Sequence, residues 1–363
     1  MNPSNGSPSP EPRNLLISIP NWVGDVVMAT PALDAIRRQF PDANITLLMR
    51  SYVADVLAGT KLGNEQVFWP PALSIGGQYG LIRELRSRRF DAAVLLTNSF
   101  RSAAVTALSG IPRRYGYGRD GRSLLLTDRL VPKRTGNEYS PVSALDYYNE
   151  LARFLGCPDV RDQMVLATTA DDEAAVDRRL GALDPAKPLV VLNPGANYGS
   201  AKCWPAEYYA ALSDELTVRY NARVVASLGP KERHIADALA ASAKKSIEVF
   251  IDPPLGLGPL KALIRRSRLL ITNDTGPRHF APPFGVPVVT IYGSSDPAWT
   301  VTRFAQERTV MLNLDCQPCM ERTCPLKHHN CMKMLEPELV LAAAGEFLGA
   351  LPTVAKGNLM KTG

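Results

Sequence analysis

No apolar run in this 363-residue chain reaches the ~18 residues that would cross a bilayer. The first thirteen residues, MNPSNGSPSPEPR, lack the apolar segment of a secretion signal, and their Pro, Ser and Asn content reads as a disordered tail. The protein is therefore expected in the cytoplasm, with its six cysteines reduced. The first apolar run, NLLISIP, is not followed by G-x-G-x-x-G, which argues against a dinucleotide oxidoreductase. A Walker A loop is missing too, because no G-K-[ST] ending occurs. There is no D-x-D pair, so a divalent metal bridging a sugar diphosphate to the protein is not indicated.

Basic residues are plentiful in one place. Arg83, Arg86, Arg88, Arg89, Arg101, Arg113, Arg114, Arg119, Arg122, Arg129, Lys133 and Arg134 crowd one stretch. They form either a solvated basic face or a surface for an anionic partner: a phosphorylated substrate, an anionic membrane or a nucleic acid. Few aromatics are interleaved with them and no nucleic-acid motif occurs, so nucleic acid is not expected.

Short apolar runs alternate with amphipathic segments, twice over. NLLISI, NITLLMR and DAAVLL read as strands of a first half, with DVVMATPALDAIRRQF, LIRELRSRRF and VSALDYYNELARFLGC as helices. The alternation restarts with LVVLNPG, ARVVASLG, SIEVFID, RLLITND and PVVTIYG. This predicts an α/β protein of two doubly wound halves with the site in the cleft between them. The expected division is a tail at 1–13, one domain at 14–175, a second at 176–350 with a Cys-rich segment at 315–332, and a flexible tail at 351–363.

Chemistry-bearing residues follow the strands. In NWVGDVVMATPAL, Asp25 stands where a cofactor turn would carry glycines. It is either a favourable charge in the first helical turn or a general base facing the cleft. A helix N-terminus would depress its pKa and desolvation would raise it. In NPGANYGSAKCWP, glycines admit close approach of a phosphate to backbone N–H groups and Lys202 adds a point charge. In ITNDTGPRHFA, Asp274, Thr275 and Gly276 turn into a short helix whose amides would face a diphosphate, with His279 on its first turn. His279 reads equally as a structural histidine. YGSSDPAWT is a further turn after a strand. CQPCMERTCPLKHHNCM places Cys316, Cys319, Cys324 and Cys331 near His328 and His329. Four thiolates suggest structural zinc or iron, against reduced thiols or local disulfides, although the spacing matches no common zinc-finger or ferredoxin run.

Three of these stretches together, NWVGDVVMATPAL, PGANYGSAKCWP and TNDTGPRHFAPPFGVPVVTIYG, resemble glycosyltransferase family 9, the ADP-heptose:lipopolysaccharide heptosyltransferases, in its heptosyltransferase II branch. They occur in the family's order across roughly residues 14 to 300, and the Cys-rich tail resembles one seen in some members. The resemblance implies a GT-B architecture, two Rossmann-like domains facing a central cleft. It implies an inverting transfer of heptose from ADP-heptose, bound by the second domain, to the anionic inner core of lipopolysaccharide, bound by the first. No cofactor is then required for catalysis, and peripheral contact with the cytoplasmic face of the inner membrane is implied. The family's base falls on Asp25, and its donor-binding residues fall on Asn197, Tyr198, Lys202, Asp274, Thr275, Gly276 and His279. The alternative is a GT-B transferase using another nucleotide sugar or a protein acceptor. Pro277 and the Pro282–Pro283 pair depart from the family pattern and are expected to bend or shorten the helix that carries His279.

Overall fold

The computed structural model describes residues 11–71, 74–136 and 138–349. The expected N-terminal tail lies outside the described residues up to position 10, and the expected tail at 351–363 lies wholly outside them.

Two six-stranded parallel sheets form the frame. The first holds β1 (Asn14–Ser18), β2 (Asn44–Met49), β3 (Glu65–Phe68), β4 (Ala92–Leu95), β5 (Arg113–Tyr117) and β6 (Asp128–Leu130), in the spatial order β3-β2-β1-β4-β5-β6. A small hairpin of β7 (Arg134–Thr135) and β8 (Glu138–Tyr139) follows. The second sheet holds β9 (Leu189–Asn193), β10 (Arg223–Ser227), β11 (Glu248–Phe250), β12 (Leu269–Asn273), β13 (Val288–Ile291) and β14 (Glu307–Val310), in the order β11-β10-β9-β12-β13-β14. Each order is 3-2-1-4-5-6, that of a nucleotide-binding sheet whose strand order reverses beside the first strand. Helices cover both faces, so β4, β9, β12 and β13 are buried along their whole length.

In the first half, α1 (Val23–Met28) and α2 (Thr30–Gln39) stand where one helix is predicted. Ala29 separates them, Pro31 lies in the first turn of α2, and the Thr30 hydroxyl donates to the Val27 carbonyl. The break leaves α1 as a short element dedicated to the cleft. α3 (Ala54–Leu57), α4 (Ile75–Ser87), α5 (Phe100–Leu108) and α6 (Ala144–Phe154) complete this half. α7 (Ala170–Leu180) opens with a capping box between Thr169 and Asp172. It packs on α10 (Leu257–Arg266) of the second half, so position 175 lies inside a helix of that half. α8 (Ala206–Tyr220), α9 (Arg233–Ser242), α11 (Asn330–Lys333) and α12 (Pro337–Leu348) cover the second sheet.

The halves touch directly. α1 lies against a five-residue 3-10 turn, Gly276–Phe280, and α10 against α3. A Cβ on Gly24 would come within 2.7 Å of the His279 ring, and one on Gly276 within 2.7 Å of the Val23 side chain. Only glycine admits this approach. No helix among the described residues is long and apolar enough to cross a membrane.

Candidate active site

Beyond the carboxyl ends of both sheets, between the halves, lies a cavity of about 750 Å³. The first half lines it with Trp22, Val23, Gly24, Asp25, Met28 and Tyr52, and the second half supplies the opposite wall. All eight residues singled out in the sequence line this one cavity: Asp25, Asn197, Tyr198, Lys202, Asp274, Thr275, Gly276 and His279.

Asp25 sits in the first turn of α1, half-buried, with one oxygen 3.2 Å from the donating hydroxyl of Tyr148 on α6. Burial raises its pKa to about 6, and the tyrosine hydrogen bond pulls it partly back. At neutral pH the carboxylate is ionised yet basic enough to accept a proton. Tyr148 is held in turn by Tyr147, whose ring meets it edge-on at 5.8 Å and stacks on Tyr117 at 3.7 Å.

The opposite wall is an ionic network. The Lys202 ammonium lies 2.6 Å from one Asp274 oxygen and also donates to the Asp274 carbonyl. Arg278 donates to the other carboxylate oxygen at 3.2 Å and to Glu307 at 2.6 Å. Ser295 donates to Asp274 at 2.7 Å, which gives the turn after β13 a definite role. Burial alone would raise the Asp274 pKa, but Lys202 and Arg278 draw it down to about 2. Asn193 joins this wall by donating to Thr272 and Thr275 at 3.1 Å, and buried Asn273 donates to the Pro194 carbonyl at 2.6 Å. The two strand ends are thereby locked side by side, and the glycine turn after β9 is fixed in place.

His279 is buried, and burial, aided by the Arg278 charge, lowers its pKa to about 3. It is a neutral ring whose Nδ1 meets no protein partner among the described residues. The α-helix expected to carry it is replaced by 3-10 turns at Gly276–Phe280 and Pro282–Phe284, as the prolines foreshadowed. An aligned helix end aimed at a diphosphate is therefore absent here, and the cradle consists of loop backbone and Lys202.

Several lining residues escape a reading of the sequence, among them Glu232, Met320 and Arg322. Glu232, at the start of α9, accepts from the Gly229 amide at 2.7 Å and presses so closely on Gly195 that a Cβ there would meet its carboxylate at 2.0 Å. Met320 and Arg322 come from the Cys-rich segment, distant in sequence from every other lining residue except Thr300. A glutamate just beyond a strand end was a readable signal, whereas the other two depend on how a loop without regular structure folds back.

All six cysteines are free thiols, and no group of three or more His, Cys, Asp or Glu side chains among the described residues is placed to hold an ion. Cys316, Cys319, Cys324 and Cys331 instead border a small cavity of about 20 Å³ with His328 and His329. The structural zinc or iron expected from their density is thus unsupported: they share one cavity wall but do not converge as ligands. Parts of the basic stretch are structural as well. Arg122 is buried and donates to the carbonyls of Tyr117 and Thr97, and Arg114 donates to the Leu125 and Ile111 carbonyls.

A proton-accepting carboxylate on one wall and a cationic, glycine-lined cradle on the other, carried by paired nucleotide-binding sheets, define a group-transfer enzyme of the GT-B kind. A family model described as glycosyltransferase family 9 (heptosyltransferase) matches residues 79–330, and the chain belongs to that family. Lipooligosaccharide heptosyltransferase 2 of Campylobacter jejuni is 27% identical over 348 residues, covering 92% of this chain and 98% of its own. Lipopolysaccharide heptosyltransferase 2 of Escherichia coli is 26% identical, covering 90% and 96%. The solved structure of E. coli ADP-heptose LPS heptosyltransferase II superposes with a TM-score of 0.76 at 24% identity, over 92% of this chain and 98% of that one. The protein is a glycosyltransferase.

Proposed function

We propose that this enzyme transfers heptose from ADP-heptose to a heptose hydroxyl of the lipopolysaccharide inner core, with inversion at the anomeric carbon. The observation that carries the reading is Asp25, held near pKa 6 across a shared cavity from the Lys202–Asp274 cradle. Relatives named for this activity span nearly the whole chain and support the choice of donor and acceptor.

In this mechanism the Asp25 carboxylate takes the proton of the acceptor hydroxyl as its oxygen attacks the anomeric carbon. The bond from that carbon to the diphosphate breaks, and its electron pair leaves with ADP. Lys202 and the backbone at Thr275 and Gly276 face the diphosphate, while Asn197 and Tyr198 contact the nucleotide sugar. The first half holds the acceptor. Exposed Arg83, Arg86, Arg89, Arg129, Lys133 and Arg134 on that half suit an acceptor rich in phosphate and carboxylate. An acceptor of this kind fits a cytoplasmic enzyme in peripheral contact with the inner membrane.

The test is a donor panel of ADP-heptose, UDP-sugars and GDP-sugars against a heptose-terminated core acceptor, with products read by mass spectrometry. Transfer from ADP-heptose alone is expected. Preference for another nucleotide sugar, or for a protein acceptor, would replace the reading. Asp25→Asn is expected to reduce transfer by at least about 1,000-fold while ADP affinity stays within about twofold.

A further inference from the structure

Among the described residues, the charge inventory of the cleft leaves one cation without an anionic partner. Lys202 is engaged by Asp274, Asp274 also by Arg278, and Arg278 by Glu307. Two cations and two carboxylates make that network neutral before any ligand arrives. A nucleoside diphosphate brings at least two negative charges, and its diphosphate gains more as the bond to the sugar breaks. The other acids on the lining, Asp25 and Glu232, worsen the balance.

Arg322 is the remaining cationic side chain on the lining. It is exposed, and no ion pair or side-chain hydrogen bond engages its guanidinium among the described residues. Its carbon centre lies 5.0 Å from the Tyr198 ring centroid, and the Lys202 ammonium lies 4.9 Å from the same ring. One aromatic ring thus spaces two cations at the edge of the cradle. The guanidinium rests on that ring without an anionic partner among the described residues, and its backbone is tied down. The Arg322 carbonyl accepts from the Ala201 amide at 3.0 Å, the Met320 carbonyl accepts from the Tyr198 hydroxyl at 3.0 Å, and the Met320 amide donates to the Ser294 carbonyl at 2.7 Å. The Cys-rich segment is therefore stitched to both loops that flank the cradle.

We propose that Arg322 binds the diphosphate of the nucleotide-sugar donor and takes up the negative charge that develops on the leaving diphosphate. The planar guanidinium fork matches paired phosphate oxygens, and its start on a pinned backbone limits the ordering that binding requires. The Cys-rich segment then acts as a clasp that delivers this residue to the cleft. This inference rests on the reading of the donor as a nucleoside diphosphate sugar.

Calorimetric titration with ADP and with adenosine separates the charge role from a structural one. Arg322→Ala is expected to weaken ADP binding by about 10- to 100-fold, the scale of one lost charge-assisted contact, and to leave adenosine binding within about twofold. Arg322→Lys is expected to recover part of the ADP loss, and kcat with the full donor to fall in the order wild type, Lys, Ala. Unchanged ADP affinity in Arg322→Ala, or equal losses for ADP and adenosine, would overturn the proposal, the second outcome pointing to a merely structural clasp. A wild-type protein that binds adenosine but gains nothing from the diphosphate would sink the donor reading beneath it.

Discussion

Asp25 is basic because burial disfavours its charged form, and the hydrogen bond from Tyr148 offsets part of that shift. The rate should therefore follow the carboxylate form. Below pH 6, kcat/KM is expected to fall about tenfold per pH unit, with half its plateau value near pH 6. Tyr148→Phe removes a contact that favours the charged form, so the acid limb should move upward, by up to about one unit. The plateau above pH 8 should survive, because the carboxylate itself remains. His279, with its pKa near 3, should add no limb between pH 5 and 9. A profile recorded for both proteins decides this: an acid limb that stays put in Tyr148→Phe would separate the tyrosine from the base. The position of Asp25 was readable, since a strand followed by Gly-Asp and an apolar helix places a carboxylate at a cleft. Its pKa was not, because burial depends on α6, more than a hundred residues away.

At the scale of elements, loops after β9, β12 and β13 build the cradle, and the irregular segment from Cys316 to Cys331 holds them. Gly199 is the point of closest approach: a Cβ there would lie 2.2 Å from the Arg322 carbonyl oxygen. A backbone atom cannot swing aside as a side chain can. Gly199→Ala is therefore expected to push the clasp off the donor loop, breaking the Ala201–Arg322 hydrogen bond. ADP affinity should fall by at least about tenfold, while the midpoint of thermal unfolding, set by the sheets, should drop by only a few degrees. An alanine variant with wild-type ADP affinity would show that the loop does not depend on the clasp. The sequence offered the four cysteines here as the signal, and density of thiols suggested a metal. The structure gives the segment a different job, because hydrogen bonds from its backbone, invisible to any motif, tie it to the cleft. Something similar holds for the turn at Gly276: its prolines announced a broken helix, but not that the resulting 3-10 turn would meet α1 glycine to side chain.

At the scale of the whole molecule, the two doubly wound halves were legible, since central strands buried on both faces leave continuous apolar runs; the strand order of each sheet was not. Edge strands such as β3 (EQVF) and β6 (DRL) were not, because solvent on one or more sides leaves their sequences polar. Also hidden was the tie between the halves. Lys261 on α10 is wholly buried, and its ammonium donates to the Val56 and Ala58 carbonyls at 3.1 Å and to the Ala167 carbonyl at 2.8 Å. Burial lowers its pKa to about 8, with Asp172 and Asp55 opposing the shift. Three carbonyls of the first half and the connecting segment thus converge on one side chain of the second. Lys261→Met keeps the stem and removes the donors, leaving those carbonyls unpaired at a buried seam at a cost of about 2–4 kcal/mol. Both sheets remain intact, so the expected loss is in the fixed spacing of the halves. Small-angle scattering should report a larger radius of gyration, ADP should still bind within about threefold because the cradle lies in one half, and kcat for transfer should fall at least about tenfold because Asp25 lies in the other. A variant that loses ADP binding and transfer in equal measure would place the role of Lys261 in folding the second half. Unchanged transfer would mean that the α1 contact with the Gly276 turn suffices to hold acid and cradle face to face.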